Sequence, residues 1–178
     1  MAYLKNSTWG NFVLGTDYTD IIENNNESVT VDGRAGNDGI SNAGASLTED
    51  YLTTSSYRFP DNSSINGGMG DDSIVNGSSR STLIGGDGND TITNWSSAIF
   101  VYGNRTIYPI SNDVSIDGGS GNDSIHNAYN FNVSINGGTG NDKISNEGYY
   151  VQIIGGEGKD TIENKALTAA IFGDAGND

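Results

Sequence analysis

Four columns of residues repeat in phase along the whole chain, and this repetition limits the possible folds more than any other feature. Isoleucine follows an aspartate two positions later in seven units, and asparagine follows that isoleucine after two more. Aspartate recurs at steps of 18, 34, 18, 33, 19, 18 and 18 residues. Its column is Asp20, Asp38, Asp72, Asp90, Asp123, Asp142, Asp160 and Asp178. Internal repetition at a fixed period is the signature of a repeat architecture.

Each unit reads as two short strands separated by turns. In the strand after the aspartate, alternation places only the isoleucine inside, as at Ile92. The strand that enters the glycine-rich turn places two apolar residues inside, as at Val133 and Ile135. Because about three buried residues per coil are too few for stability, the coils must stack. The sequence therefore predicts an all-β fold, a right-handed parallel β-roll or β-solenoid with about 18 residues per coil.

The asparagine column allows two interpretations. Asparagine at a fixed corner of each coil can form a ladder of side-chain amide hydrogen bonds between stacked coils. Asparagine also tolerates left-handed turn geometry, which would explain the column without any ladder. Both interpretations can hold together. The glycine density and the two-residue alternation exclude helix for most of the chain.

The composition and charge exclude several functional classes. With 26 glycines and 34% hydrophobic residues, the chain is too polar for an ordinary compact core. Its net charge of −15 repels nucleic acid and anionic membranes, so a cation is the natural partner. The absence of cysteine and the single histidine, His126, exclude zinc-thiolate sites and make a Ser-His-Asp triad untenable. No apolar run long enough for a membrane span or a secretory signal is present.

The glycine-rich turn has the composition of a calcium-binding loop. Three glycines in a turn such as Gly85-Gly86-Asp87-Gly88-Asn89-Asp90 allow positive φ and bring backbone carbonyls close together. The closing aspartate adds a carboxylate, and these hard oxygen ligands suit calcium better than zinc or copper. Carboxylates stacked about 5 Å apart repel by roughly 3 kcal/mol per pair at an effective dielectric of about 20. A continuous column therefore requires cations between its levels.

The turn Gly67-Gly68-Met69-Gly70-Asp71-Asp72 and four similar turns resemble the haemolysin-type calcium-binding repeats of RTX proteins. The resemblance implies a parallel β-roll with calcium between turns stacked at one edge. The implied carboxylate ligands are Asp38, Asp72, Asp90, Asp123, Asp142, Asp160 and Asp178. The implied carbonyl ligands are Gly33, Ala35, Gly67, Met69, Gly85, Asp87, Gly118, Ser120, Gly137, Thr139, Gly155, Glu157 and Gly173. Because the motif returns every 18 residues instead of every nine, only one edge should hold metal. The five neighbouring pairs at steps of 18 or 19 residues would hold about four or five ions.

The two long steps contain extra segments, near residues 43–58 and 95–109 of a single 1–178 repeat domain that reads as part of a longer array. They hold or adjoin Tyr51, Tyr57, Phe59, Trp95, Phe100, Tyr102 and Tyr108. Residues 99–108 read as a hairpin around Gly103 and Asn104. The alternative is an additional coil with its aromatic residues inside. If the segments protrude, they are where a glycan or another protein would bind.

The expected function is that of a secreted, extracellular, calcium-binding scaffold, structural or adhesive, that folds when calcium binds. The resemblance implies bacterial type I secretion without a cleaved N-terminal signal. One alternative is a metal-free solenoid that binds a surface or glycan through regular outward hydroxyl residues such as Thr91, Thr93, Ser124 and Ser145. A second is a polysaccharide-acting enzyme that uses Asp71 and Asp72 as acid and base, and this is the least favoured. We therefore expect no catalytic residues and no nucleic-acid partner.

Overall fold

The computed structural model of the protein describes residues 1–6, 12–24, 28–42, 62–95, 100–102, 105–107 and 113–178. Within these ranges the regular structure consists of strands and contains no helix. No helix there is long and apolar enough to cross a membrane. The all-β class predicted from the repeat is confirmed.

Two parallel sheets of eight strands each form a β-solenoid. The first sheet, in spatial order, contains β1 (Tyr3–Asn6), β3 (Ile21–Asn24), β5 (Gly39–Asn42), β7 (Ser73–Asn76), β9 (Thr91–Trp95), β13 (Ser124–Ala128), β15 (Lys143–Asn146) and β17 (Thr161–Asn164). The second contains β2 (Phe12–Leu14), β4 (Thr30–Asp32), β6 (Ser64–Met69), β8 (Thr82–Asp87), β12 (Val114–Ser120), β14 (Val133–Thr139), β16 (Val151–Gly158) and β18 (Ala169–Gly176). Each coil contributes one strand to each sheet.

The strands pair in the register that the repeat columns predict. In the first sheet Ile125 lies opposite Ile92 and Ile144. In the second sheet Ile135 lies opposite Ile116 and Ile153. A repeated residue therefore stacks on its own counterpart in the next coil. This in-register stacking converts a column in the sequence into a row of equivalent side chains in the structure.

The coils on either side of each extra segment pair directly with each other. β5 pairs with β7 and β4 with β6 across the first segment. β9 pairs with β13 and β8 with β12 across the second. No described strand lies between these partners, so an additional coil inside the stack does not fit the pairing.

The second extra segment includes an antiparallel strand pair, as the hairpin interpretation predicted. β10 (Phe100–Tyr102) pairs with β11 (Arg105–Ile107), with Phe100 opposite Ile107. The intervening Gly103 and Asn104 lie outside the described residues. All of residues 43–58 also lie outside them, and so do Tyr51, Tyr57, Phe59 and Tyr108. The proposed glycan or protein contacts of these segments remain predictions.

The core is a narrow row of aliphatic side chains between the two sheets. A complete coil buries three of them, as at Val133, Ile135 and Ile144. Two coils bury Ser63 or Ser81 at the position where four others bury a valine, so these two coils bury one aliphatic side chain fewer. Coil-to-coil stacking supplies the contacts that a single coil lacks.

The asparagine column lies inside the solenoid, which corrects one detail of the sequence analysis. In six coils the strand after the aspartate buries both the isoleucine and the asparagine, as at Ile125 and Asn127, and not the isoleucine alone. Hydrogen bonds of 2.7–3.1 Å join each side-chain amide to the next. This asparagine ladder runs through Asn6, Asn24, Asn42, Asn76, Asn94, Asn127, Asn146 and Asn164. The ladder interpretation is confirmed, whereas positive φ values in the described residues occur at other positions.

We expect Asn127→Ala to lower the free energy of unfolding by about 2 to 4 kcal/mol, because it leaves buried amide groups without partners. Asn127 Oδ1 accepts hydrogen bonds from Asn94 Nδ2 at 2.9 Å and from Asn130 Nδ2 at 3.0 Å. Its own amide donates to Asn146 at 2.8 Å. Denaturant unfolding of the folded chain measures the loss.

Asn122→Ala is the matched control, since Asn122 makes similar inter-coil hydrogen bonds at the surface. Water can replace these bonds, so its effect should stay below about 1 kcal/mol. Equal losses in the two variants would show that burial of the ladder contributes nothing.

Candidate metal site

The glycine-rich turns form one edge of the solenoid, and backbone hydrogen bonds between coils hold them in register. Gly68 and Gly70 have φ values of 112° and 123°, which side chains rarely adopt. Gly70 N–H donates to the carbonyl of Asp87 in the next coil at 2.7 Å. Turns of the same conformation therefore stack directly on one another.

The aspartate column runs along the inside of this edge without interruption. The backbone N–H of each aspartate donates to Oδ1 of the aspartate in the next coil, at 2.8 Å from Asp90 to Asp123 and at 2.8 Å from Asp123 to Asp142. Asp38 N–H donates to Asp72 Oδ1 at 2.7 Å across the first long step. The column is therefore continuous across both extra segments. The expectation of four or five ions counted only neighbouring aspartates 18 or 19 residues apart. It therefore left out the pairs Asp38 with Asp72 and Asp90 with Asp123.

The other carboxylate oxygen of six aspartates is buried and has no hydrogen-bond partner among the described residues. These oxygens are the Oδ2 atoms of Asp38, Asp72, Asp90, Asp123, Asp142 and Asp160. Each of these residues is at most 4% exposed. A buried oxygen without a partner is unfavourable, and a row of them points to a missing positive group.

A glycine of the same coil and a carbonyl of the next coil lie beside each unpartnered oxygen. A Cβ atom added to Gly155 would lie 2.6 Å from Asp160 Oδ2 and 2.7 Å from the Gly173 carbonyl oxygen. Added Cβ atoms at the first glycine of five other turns would likewise meet the aspartate Oδ2 of their own coil and a carbonyl oxygen of the next: Gly33, Gly67, Gly85, Gly118 and Gly137. Carboxylate and carbonyl oxygens therefore converge at every level.

The electrostatics of the column disfavour free carboxylates. Burial, together with the charges of Asp90 and Asp38, raises the pKa of Asp72 to about 7. Burial, together with repulsion from Asp90 and Asp142, likewise raises the pKa of Asp123 to about 7. Without a cation, these two carboxyl groups therefore begin to retain protons near neutral pH.

The structure brings most of the ligands that the sequence implied to this edge. The first and third residues of each turn, counted from its first glycine, have different surroundings there. The first-position glycines and the aspartates adjoin each other, as described. The third-position carbonyls of Met69, Asp87, Ser120, Thr139 and Glu157 accept backbone N–H groups of the neighbouring coil at 2.7–2.8 Å. These carbonyls are already engaged, so only their second lone pairs are open to a cation.

Ala35 and Asp178, near the two ends of the implied ligand set, stack with the equivalent residues of the neighbouring coils. Ala35 forms an isolated bridge with Met69, which places it in the row of third positions. Asp178 Oδ1 accepts the N–H of Asp160 at 3.1 Å. No three His, Asp or Glu side chains converge as a metal cluster among the described residues. A cation at this edge would therefore depend mainly on one carboxylate per level and on carbonyl oxygens.

Two features of the edge were missed by the sequence analysis. One is Thr16, whose N–H donates to Asp20 Oδ2 in the first turn. The other is an exposed row one residue before the aspartates, where Asn122 Oδ1 accepts from Asn141 N at 2.8 Å. The sequence did contain signals for both features: a threonine at a glycine position of the first turn, and an asparagine that recurs before the aspartate.

The chain matches no protein-family model, no curated protein and no solved structure.

Proposed function

We propose that the chain binds calcium along the aspartate column and folds as calcium binds. The observation that carries this proposal is the row of six buried Oδ2 atoms without partners. A cation at each level would neutralise these oxygens and remove the repulsion between carboxylates. One ion per unpartnered oxygen would give six ions.

The donor chemistry favours calcium over other metals. The atoms near each level are carboxylate and carbonyl oxygens, as at Asp160 Oδ2 and the Gly173 carbonyl. Calcium accepts such hard ligands in flexible geometry, whereas magnesium requires a near-ideal octahedron and keeps its water. The turn motif that resembles RTX repeats supports the same metal independently.

We further propose that the folded chain serves as an extracellular structural or adhesive scaffold. Its charge of −15 would oppose folding at low calcium, because the carboxylates would lack counterions. Extracellular calcium at millimolar levels would lift this barrier, as in weak extracellular calcium sites. Folding would then be coupled to export.

A catalytic carboxylate pair has little support at the position where the sequence suggested one. Asp72 is buried, whereas the adjacent Asp71 is exposed and accepts hydrogen bonds from Asn89. One carboxylate is therefore buried and the other exposed, so the pair is not jointly open to a substrate. The proposed role is accordingly a non-catalytic one.

A calcium titration followed by far-UV circular dichroism tests the proposal, with magnesium as the control. We expect little β signal in chelator at pH 8 and a cooperative gain with calcium alone. Full β signal in chelator, unchanged by calcium, would overturn the proposal and favour a metal-free surface- or glycan-binding solenoid. Asp72→Asn should bind fewer ions and should gain β signal in chelator, because it removes a buried charge.

Asp71→Asn is the matched control for the Asp72 variant. It makes the same change of charge in the same turn, at a position where neighbouring turns have Asn89 or Asn122. Its calcium stoichiometry should equal that of the wild type. Equal stoichiometry in both variants would show that the Asp72 carboxylate is not a ligand.

A further inference from the structure

The first glycine-rich turn differs from the later turns at its second position. Gly68 and Gly119 hold this position at φ values of 112° and 104°, and Arg34 holds it at 78°. Thr16, the equivalent residue of the first turn, is not among the described residues with positive φ. A β-branched side chain strongly disfavours positive φ, so threonine directs the backbone along a different path.

This path brings two donors of Thr16 to the Asp20 carboxylate. Thr16 N–H donates to Asp20 Oδ2 at 2.5 Å, and Thr16 Oγ1 donates to the same oxygen at 2.9 Å. Asp20 Oδ1 accepts the N–H of Ala2 at 2.7 Å. Asp20 is fully buried like the other aspartates of the column, yet both of its oxygens have partners.

The electrostatics of Asp20 differ accordingly from those of the next levels. Burial acts to raise its pKa, but hydrogen bonds from Thr16 and Ala2 outweigh burial and lower the pKa below the usual value. At Asp38 burial raises the pKa despite one backbone hydrogen bond. The charged form of Asp20 is therefore stabilised by the protein itself.

We propose that Thr16 excludes the cation from the first turn, so that the calcium column begins at Asp38. This inference rests on the proposed calcium function, and it adds that one residue prevents the first turn from binding metal. A cation beside Asp20 Oδ2 would meet the hydrogens of two donors in place of a free lone pair.

The number of bound calcium ions tests this assignment, measured by equilibrium dialysis and elemental analysis of the full chain. Thr16→Gly allows positive φ and removes the hydroxyl donor, so it should bind one more ion than the wild type. Arg34→Thr is the reciprocal variant, because it places threonine at the same position of the next turn. It should bind one ion fewer.

Circular dichroism in saturating calcium establishes that each variant is folded. A wild type that binds calcium, with no gain in Thr16→Gly, would overturn this inference and leave the calcium function intact. A wild type that binds no calcium would overturn both, and is recognised from the wild type alone. If Thr16→Gly does not fold, Arg34→Thr decides: loss of one ion supports the role of threonine and an unchanged count refutes it.

Discussion

Gly140→Ala should prevent stable folding even in saturating calcium. Gly140 has a φ value of 134°, and an added Cβ atom would overlap the backbone carbonyl of Gly121 in the neighbouring coil. The obstructing atoms belong to backbone that is itself held by Gly121 N–H donating to the Thr139 carbonyl at 2.8 Å. Neither coil can move without breaking the turn stack. The expected loss is more than about 4 kcal/mol in the free energy of unfolding.

Gly39→Ala is the control for loss of a glycine as such. Gly39 lies in β5 without a positive φ, and the nearest atom to its added Cβ is the Asp20 carbonyl oxygen at 3.9 Å. Its unfolding free energy should remain within about 1 kcal/mol of the wild type. Denaturant titrations of both variants in calcium measure the difference. A Gly140→Ala protein as stable as Gly39→Ala would contradict the close stacking of the turns.

The repeat columns predicted the sheet register because identical residues favour the same environment in every coil. The alternation around Ile92 predicted which residues lie between the sheets, and its burial confirms that prediction. The inward position of Asn94 was not anticipated, since polarity alone argues against burial. Hydrogen bonding between coils offsets that cost, and it becomes visible only when the coils are stacked.

The residue types of the candidate site were predictable from the sequence, but the stacking of its aspartates and the hydrogen-bond partners of their carboxylates were not. The recurrence of Asp72 and Asp90 indicated a column of like charges, whereas spacing alone could not show that Asp38 stacks directly on Asp72 across 34 residues. Hydrogen bonds within a turn also determine which carboxylate oxygens remain unpartnered. Asp20 and Asp38 occupy the same column, yet only Asp38 retains an unpartnered oxygen, because Thr16 N–H donates a hydrogen bond to Asp20 Oδ2.

Acid should partly replace calcium in folding the chain. In chelator, we expect more β signal and a higher melting temperature at pH 5 than at pH 8. The folded-state pKa values of Asp72 and Asp123 are raised from 3.8 to about 7, so the folded chain retains protons that the unfolded chain releases. Stability from these groups is fully present below about pH 4 and is lost as pH rises through about 7. Between pH 5 and pH 8 the two carboxyl groups together should change the free energy of unfolding by roughly several kcal/mol.

Saturating calcium should abolish this acid dependence, because calcium binds the deprotonated carboxylates and competes with protons for them. The double variant Asp72→Asn with Asp123→Asn should show a smaller pH effect in chelator, since its amides do not titrate. Asp20 makes the opposite contribution, but its lowered pKa places that effect below about pH 4, outside the tested range. Equal β signal at pH 5 and pH 8 in chelator would mean that the buried carboxylates are neutralised by something other than protons or calcium.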